Sequence, residues 1–378
     1  MLHPYSTIER IDTLNPYMRE ALDLARAAMG QTSPNPSVGC VIVRDGIVVG
    51  RGAHQFVTRD HAEVMALAQA GVTARGADVY VTLEPCSHHG RTGPCADAMI
   101  EAGVKRVFVA MQDPNPMVSG SGMHRLREAG ISVEMDHTAQ VEAARINEPF
   151  VHFMRTGRPL VTLKSAVTLD GKIAAPENND GWITSESARS HVQSLRHWSD
   201  VMITGIGTVL ADDCLLTDRS NVTRARPLLR VVLDSQLRLP VSSRMVVTGQ
   251  SDVMVATTTA ASAERRKALE AKGVEVVVFD SASGRVSLEL LIQELGRRQF
   301  LSAMIEAGSK VNWSALDSEV VDKVFFYYAP KILGGLQSLP IAGGLGRRRR
   351  ADAILLRDIR LHPVAPEEFA VEAWVQKN

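Results

Sequence analysis

The chain has 378 residues, 45% hydrophobic and 22% charged, with 42 basic side chains against 42 acidic ones. That length exceeds what a single core usually fills, so two domains are expected, and zero net charge leaves no field to draw the whole molecule to nucleic acid or an anionic membrane. No leader pattern or membrane-spanning apolar run is visible, and four scattered cysteines make no disulfide framework, so a cytoplasmic protein with metal-bound thiols is expected.

Asn15-Pro16 is a helix start, with Asn as N-cap and Pro at the first helical position, and Gly30 closes the run. Residues 37–43 read as a strand, Asp45-Gly46 as a hairpin turn and 47–50 as the returning strand. A helix over 61–70 ends at Gly71, and a strand over 79–83 runs into a cysteine-bearing loop. The alternation continues with a helix over 95–102, a strand over 104–110, a loop at Asp113-Pro114-Asn115-Pro116, a helix near 124–129 and a strand from Ile131. One long helix then covers 139–153. This pattern predicts an α/β fold of crossover units with a largely parallel sheet, whose ligands gather at loops following strand C-termini.

Thr156-Gly157-Arg158-Pro159 marks a boundary, giving a first domain over 1–155 and a second over 156–378. Strands in the second are predicted over 160–166, 200–204, 228–233, 253–257, 274–279, 303–306 and 321–329. Helices are predicted over 187–197, 263–272, 287–297 and 310–316. The last strands, 354–359 and 369–374, have no helix between them and should pair antiparallel.

Chemistry concentrates between His61 and Cys95. Zinc takes nitrogen and thiolate ligands, and a catalytic site uses three so that water can hold the fourth position. His61, Cys86 and Cys95 supply three, and Glu63 is placed to shuttle protons. The general zinc-deaminase signature is H-x-E followed by P-C-x-x-C, whereas eight residues separate the cysteines here. Residues two apart on a helix point to different sides, so His61 and Glu63 share a site only off the helix N-terminus. Free N–H groups and the helix dipole lower a thiolate pKa there, and Cys95 opens a helix of its own. A dication with two thiolates and a neutral imidazole carries no net charge, which leaves water to ionise near neutral pH with Glu63 carrying the proton. Hydrolytic deamination is the predicted reaction class. His88 or His89 as a fourth ligand would instead close the site and make it structural.

Ser33-Pro34-Asn35-Pro36-Ser37-Val38-Gly39, His61-Ala62-Glu63, the loop over 84–95 and Asp113-Pro114-Asn115-Pro116 together resemble the deaminase half of the bifunctional riboflavin-biosynthesis deaminase-reductases. That family is a cytidine-deaminase-like branch in which the long cysteine loop is normal. The resemblance implies an N-terminal α/β/α domain with substrate contacts at Asn35, His54, His88, Arg91, Asp113 and Asn115, Arg91 serving a phosphate. Read singly, Asn35 is a turn residue, His54 and His88 are surface or supporting groups, and Asp113 is a loop cap. Gly93 stands where the family usually has proline.

In the second half, Gly205-Ile206-Gly207 and Gly334-Gly335 are weak glycine signals. Glu306-Ala307-Gly308-Ser309 sets a glycine between strand and helix, which suits phosphate approach or a simple turn. With residues 163–172, Trp182-Ile183-Thr184-Ser185, residues 208–213, Leu216-Thr217, Val232-Leu233-Asp234-Ser235 and residues 329–335, the set resembles the same family's reductase domain, which has a dihydrofolate-reductase-like fold. The resemblance implies NADPH contacts at Ala166, Trp182, Thr208, Asp212, Ser235, Gly308 and Ser309. It implies substrate contacts at Asp180, Arg196, Leu216, Arg219 and Glu306, and Lys164 at its strand end is placed to contact the substrate and polarise the reacting centre. Arg196 and Arg219 suit a sugar phosphate, while Lys164 reads equally as a scaffold ion pair. Asp180 and Cys214 depart from the small hydroxyl residue and the proline expected at their positions. Arg347-Arg348-Arg349-Arg350 reads as a solvated loop, lacking the aromatic neighbours and wider basic face of a nucleic-acid site.

The expectation is one polypeptide that removes the ring 2-amino group of 2,5-diamino-6-(5-phosphoribosylamino)pyrimidin-4(3H)-one with zinc. It then reduces the ribose with NADPH to give 5-amino-6-(5-phosphoribitylamino)uracil. A homodimer is implied by the resemblance alone; no nucleic-acid or membrane partner is expected. The rival readings are a nucleoside or tRNA deaminase with an appended domain, and a regulatory protein with structural zinc.

Overall fold

The computed structural model describes residues 14–54, 60–87, 93–116, 118–177, 179–224 and 226–377. The chain divides into two compact units, Met1–Thr156 and Gly157–Asn378.

Unit 1 contains α1 (Pro16–Ala27), β1 (Gly39–Arg44), β2 (Ile47–Ala53), α2 (Ala62–Ala70), β3 (Asp78–Val81), α3 (Cys95–Ala102), β4 (Arg106–Val109), α4 (Ser121–Glu128), β5 (Ser132–Met135), α5 (Gln140–Ile146) and α6 (Glu148–Thr156). Asn15 caps α1 by accepting from the Tyr17 N–H at 2.9 Å, and the helix buries Met18, Ala21, Leu22 and Ala25, one stripe at helical spacing. Asp45 and Gly46 both take positive φ, 53° and 80°, as a tight hairpin turn between β1 and β2 requires. The sheet order is β2-β1-β3-β4-β5. Only β3-β4 and β4-β5 are parallel, whereas β1 runs antiparallel to both β2 and β3, so the sheet is mixed rather than largely parallel. The hairpin turns the chain back at its first strand, before any crossover is made.

Two helices lie on this sheet with no side chain between. A methyl at Gly39 would stand 2.0 Å from the Ala21 carbonyl oxygen, and one at Gly52 would stand 1.9 Å from that of Ala62. At Gly50 the distance to the Ala66 carbonyl oxygen would be 2.2 Å, so β2 carries α2 on its bare backbone. The single helix expected over 139–153 is two, α5 and α6. Pro149 has no N–H to continue the ladder, and buried Asn147 between them turns its amide away. It accepts from Ser37 N–H at 2.7 Å and donates to Ser37 O at 2.9 Å, pinning the loop that carries Asn35.

Unit 2 contains β6 (Leu160–Thr168), β7 (Lys172–Ala174), α7 (Glu186–Trp198), β8 (Val201–Gly205), α8 (Ile206–Asp212), β9 (Leu229–Leu233), α9 (Arg244–Val247), β10 (Val253–Thr257), α10 (Ala263–Glu270) and β11 (Glu275–Val278). It continues with α11 (Leu288–Arg297), β12 (Ser302–Ile305), α12 (Ser309–Asp317), β13 (Lys323–Ala329), β14 (Leu339–Pro340), β15 (Leu356–Ala365) and β16 (Glu368–Val375). The main sheet runs β11-β10-β9-β8-β12-β6-β13-β16-β15. It is parallel up to β13, and β16 and β15 follow antiparallel, as the absence of a helix between them predicted. Edge strand β15 tolerates Pro363, which has no ladder N–H to give. The sequence reading missed α8, which begins inside the Gly205-Ile206-Gly207 stretch. Strand β12 enters between β8 and β6, so the loops after all three open at one end of the sheet, where α/β proteins place ligands. Among the described residues no helix is long and apolar enough to cross a membrane.

Candidate active sites

In unit 1 the three expected metal ligands converge from three segments. His61 is the N-cap of α2, Cys86 follows β3, and Cys95 opens α3. His61 Nδ1 lies 3.0 Å from Cys95 Sγ and 3.5 Å from Cys86 Sγ, and the three donor atoms fall within 4.8 Å of one another. A tetrahedral zinc with ordinary bond lengths sets its donors roughly 3.5–3.8 Å apart, so the group needs little movement to hold one. No other such cluster of His, Cys, Asp or Glu occurs among the described residues. The first backbone N–H of α3, on Cys95, donates to Cys86 Sγ at 3.3 Å. Hydrogen bonds from the Cys95 thiol, from His61 and from that N–H bring the Cys86 thiol well below its ordinary value. Cys95 shifts up, because Cys86 already carries the negative charge the pair shares and burial adds to it. A cation is what such a donor set lacks electrostatically.

Glu63, in the first turn of α2, is buried, and burial raises its carboxyl to about 7, where one group can both take and release a proton. The N-terminal location required for His61 and Glu63 to share a site is therefore met. Buried His54 stands edge-on to His61, ring centroids 5.6 Å apart. Its Nδ1 is 2.7 Å from the Asp60 carbonyl, which only accepts, so Nδ1 carries the proton and Nε2 accepts from the Asn35 amide at 3.0 Å. Desolvation lowers the His54 pKa and keeps the ring neutral. His88, His89 and Arg91 lie outside the described residues.

Glu84 carries a role that the sequence reading missed. Its buried carboxylate accepts four backbone N–H groups, from Gly122 at 3.0 Å and Met123 at 3.3 Å on one oxygen, and from Gly120 at 2.9 Å and Asp113 at 3.2 Å on the other. The segment bearing Asp113 and Asn115 is thereby clamped beside Cys86, and Asp113 in turn accepts from Asn115 N–H at 2.8 Å. A methyl at Gly122 would stand 1.8 Å from Pro85 O, so α4 sits directly on the metal-bearing loop.

In unit 2 Glu306, at the end of β12, accepts from Lys164 of β6 at 2.8 Å and from Nη2 and Nε of Arg196 of α7 at 2.9 and 3.1 Å. Against the penalty of burial, these two cations hold its carboxyl down at about 2. Arg196 also donates to Thr217 O at 3.1 Å, beside buried Leu216, whose φ is 51°. Tyr327, also unforeseen, lies under Lys164, 5.7 Å from ring centroid to Nζ, and its hydroxyl hydrogen-bonds His191 Nδ1 at 2.7 Å. Thr208 of α8 is beside Gly308, the N-cap of α12, where a methyl would lie 3.7 Å from the Thr208 hydroxyl. Ala166 shares β6 with Lys164, Asp212 ends α8, and Ser235 follows β9. Ser309 gives its hydroxyl to Pro340 O at 2.5 Å. Trp182 is exposed under the Arg189 guanidinium at 4.8 Å, and Arg219 is exposed with its backbone N–H on Gln193. Asp180 lies in the loop before α7. Asp170, another residue without an expected role, accepts from Leu333 and Gly334 N–H at 3.1 and 2.8 Å and holds the Gly334-Gly335 loop. In the arginine run, Arg347 pairs with Asp317 and covers Trp313, an aromatic neighbour that the sequence did not show because it lies 34 positions away, and Arg349 pairs with Asp352.

Residues 12–111 match the cytidine and deoxycytidylate deaminase zinc-binding region, and residues 159–366 match the RibD C-terminal domain. The riboflavin biosynthesis protein RibD of Escherichia coli is 42% identical over 367 residues, covering 93% of this chain and 96% of the relative. That of Actinobacillus pleuropneumoniae is 42% identical over 341 residues, covering 90% of each. The chain belongs to the RibD family. Among solved structures, RibD of Acinetobacter baumannii superposes with a TM-score of 0.84 at 37% identity, covering 96% of this chain and 98% of the other. A diaminohydroxyphosphoribosylaminopyrimidine deaminase/5-amino-6-(5-phosphoribosylamino)uracil reductase of Thermotoga maritima gives 0.80 at 34% identity, covering 95% and 98%. The protein is therefore a bifunctional deaminase and reductase of riboflavin biosynthesis that acts on a phosphorylated pyrimidine, with zinc and NADPH as cofactors. The cytidine-deaminase-like and reductase folds expected from the sequence are both present.

Proposed function

We propose that residues 1–155 are the deaminase domain and 156–378 the reductase domain, and that the residues assembled above divide the chemistry between them. The observation that carries the deaminase assignment is the convergence of His61, Cys86 and Cys95 within 4.8 Å with Glu63 buried beside them. Zinc, held by those three side chains, supplies the charge that makes water nucleophilic at neutral pH. Glu63 takes a proton from the attacking water and returns it to the departing nitrogen, so that the bond from C2 to the amino group breaks, C2=O forms and ammonia leaves. Because Asn35 donates to His54, its side-chain oxygen is left to accept from the pyrimidine edge. Asp113, Asn115 and His88 complete the recognition of the ring, and Arg91 takes the phosphate.

In the reductase domain, NADPH supplies hydride to C1' of the ribose. The cofactor is contacted by Ala166, Trp182, Thr208, Asp212, Ser235 and Gly308 with the start of α12 at Ser309. The Lys164 ammonium polarises the reacting centre, and Glu306, kept ionised by Lys164 and Arg196, steadies the positive charge that develops as the ribosylamine opens. Asp180, Leu216 and Arg219 line the substrate, with Arg196 and Arg219 on its phosphate side. The protein works in the cytoplasm, and as a homodimer, the assembly implied by the family resemblance.

The test is to supply the diaminopyrimidine substrate with and without NADPH and a chelator. Stripping zinc should stop ammonia release while reduction of separately supplied deaminated substrate continues. Equal loss of both activities in a folded protein would refute the division between domains.

A further inference from the structure

Between α8 and β9 two residues other than glycine hold left-handed backbone, Asp213 at φ 42° and Leu216 at φ 51°. An L side chain seldom adopts that region, so the loop has to be held there by groups outside it. The Leu216 side chain is buried in the core cluster that contains Met202, Ile206 and Val232, which leaves its peptide as the group it can turn to a ligand. The direction of that peptide is set by the strained φ.

The residues on either side of Leu216 are gripped from fixed elements. Gln193, Arg196 and His197 stand on one face of α7, at i, i+3 and i+4. Gln193 Oε1 accepts from Arg219 N–H at 3.0 Å, Arg196 Nη1 donates to Thr217 O at 3.1 Å, and His197 Nδ1 donates to the Asp218 carboxylate at 2.8 Å. Arg224 closes the end of that helix by donating to the carbonyls of Arg196, His197 and Ser199 at 3.1, 2.6 and 2.6 Å. All of these hold the chain after Leu216. Before it, Arg230 of β9 donates from Nη1 to Leu215 O at 3.0 Å.

Arg230 is among the largest fully buried side chains of the protein, only 1% exposed. Its Nη2 and Nε donate to Asp252, just before β10, at 2.7 and 3.1 Å. Strands β9 and β10 are already joined by backbone pairing, from Arg230 opposite Val253 to Leu233 opposite Ala256, so the ion pair is not what holds them together. An apolar side chain would fill this position without the cost of burying a cation. What it could not do is hold the Leu215 carbonyl.

We propose that Arg230 is a positioning residue of the reductase, which fixes the Leu216 peptide towards the substrate by holding the carbonyl before it. The assignment rests on the reading that Leu216 and Arg219 line the substrate. It is tested on the full-length protein with NADPH and separately supplied deaminated substrate. Arg230→Met should raise KM for that substrate about tenfold and keep kcat within about twofold, with KM for NADPH and ammonia release unchanged. That variant also leaves Asp252 without its cation, so Asp252→Asn and the double variant are measured beside it. Asp252→Asn should lower the denaturant midpoint of unit 2 but keep the Leu215 bond, with KM within about twofold of wild type. The double variant has no unpaired charge, so its midpoint should rise above that of Arg230→Met while KM stays raised. A KM that follows the midpoint across the three variants, or a wild-type KM in the double variant, makes Arg230 merely structural and overturns the proposal. Arg219→Gln separates the two failures. A raised KM there beside a wild-type KM in the double variant means that the loop lines the substrate without needing Arg230, whereas a wild-type KM in both removes the underlying reading as well.

Discussion

Replacing Glu84 by glutamine removes one charge and leaves the shape unchanged. Each carboxylate oxygen accepts two N–H groups, so whichever way the amide is turned, its NH2 faces two backbone donors that it cannot satisfy. A buried donor deprived of its acceptor costs about 1–3 kcal/mol, and partial relaxation of the loop brings the expected loss to about 3 kcal/mol for the two. The loss falls on the segment carrying Asp113 and Asn115, and His61, Cys86 and Cys95 keep their own contacts. Zinc content should therefore stay stoichiometric, the unit 1 unfolding transition should move to lower denaturant, and KM for deamination should rise more than kcat falls. Atomic absorption, denaturant unfolding and ammonia-release kinetics read these in turn, with reduction of supplied deaminated substrate as internal control. An unchanged midpoint and an unchanged KM would refute the clamp; loss of zinc together with activity would show Glu84 to be part of the metal site instead.

Glu63→Gln should abolish ammonia release and leave reduction intact, and retained deamination would remove Glu63 as the proton carrier. Substituting Cys95 by serine should lower zinc occupancy measured on the purified protein, since a hydroxyl is a poor substitute for a thiolate. Glu306→Gln leaves the buried Lys164 and Arg196 cations facing each other without their anion and should lower the stability of unit 2 by about 3–5 kcal/mol while abolishing reduction. Because its folded pKa, about 2, lies below the ordinary 4.5, Glu306 contributes stability that is present above about pH 4.5 and lost as the pH falls towards 2. Acid unfolding of Glu306→Gln should accordingly show a weaker pH dependence than wild type over that window.

What the sequence disclosed was mostly local. Asn15-Pro16, Asp45-Gly46 and Gly71 each act on their own few residues, and helix starts, turns and helix ends follow from such short-range chemistry. His61 and Glu63 were legible because their spacing admits only one shared location, the helix N-terminus, where both stand. The clamp at Glu84 was not legible, since its donors are 29 to 39 positions away and the residue itself reads as one more acid before Pro85. The mixed direction of the first sheet was hidden for a similar reason, because pairing β1 with β3 depends on contacts between residues 35 to 41 positions apart and on no local signal. Division of the last helix of unit 1 was partly visible in Pro149, but not the attraction of Asn147 to Ser37, 110 residues away. In unit 2 the Lys164, Arg196 and Glu306 triad follows from strand order, which no spacing in the chain reveals.

The bare backbone under α2 bears on how this enzyme can change. With Gly52 against the carbonyl of Ala62 and Gly50 against that of Ala66, the floor of the deaminase site has no thickness left to vary, as a single added methyl would lift the helix bodily. His61 and Glu63 ride on its first turn, so they would be displaced as one piece and lose register with Cys86 and Cys95 together. New substrate preferences therefore have to be sought off this helix, in the loops that carry Asn35 and Asp113. The strand acts as a fixed datum, and selection for altered specificity should accumulate changes on the opposite wall and spare both glycines.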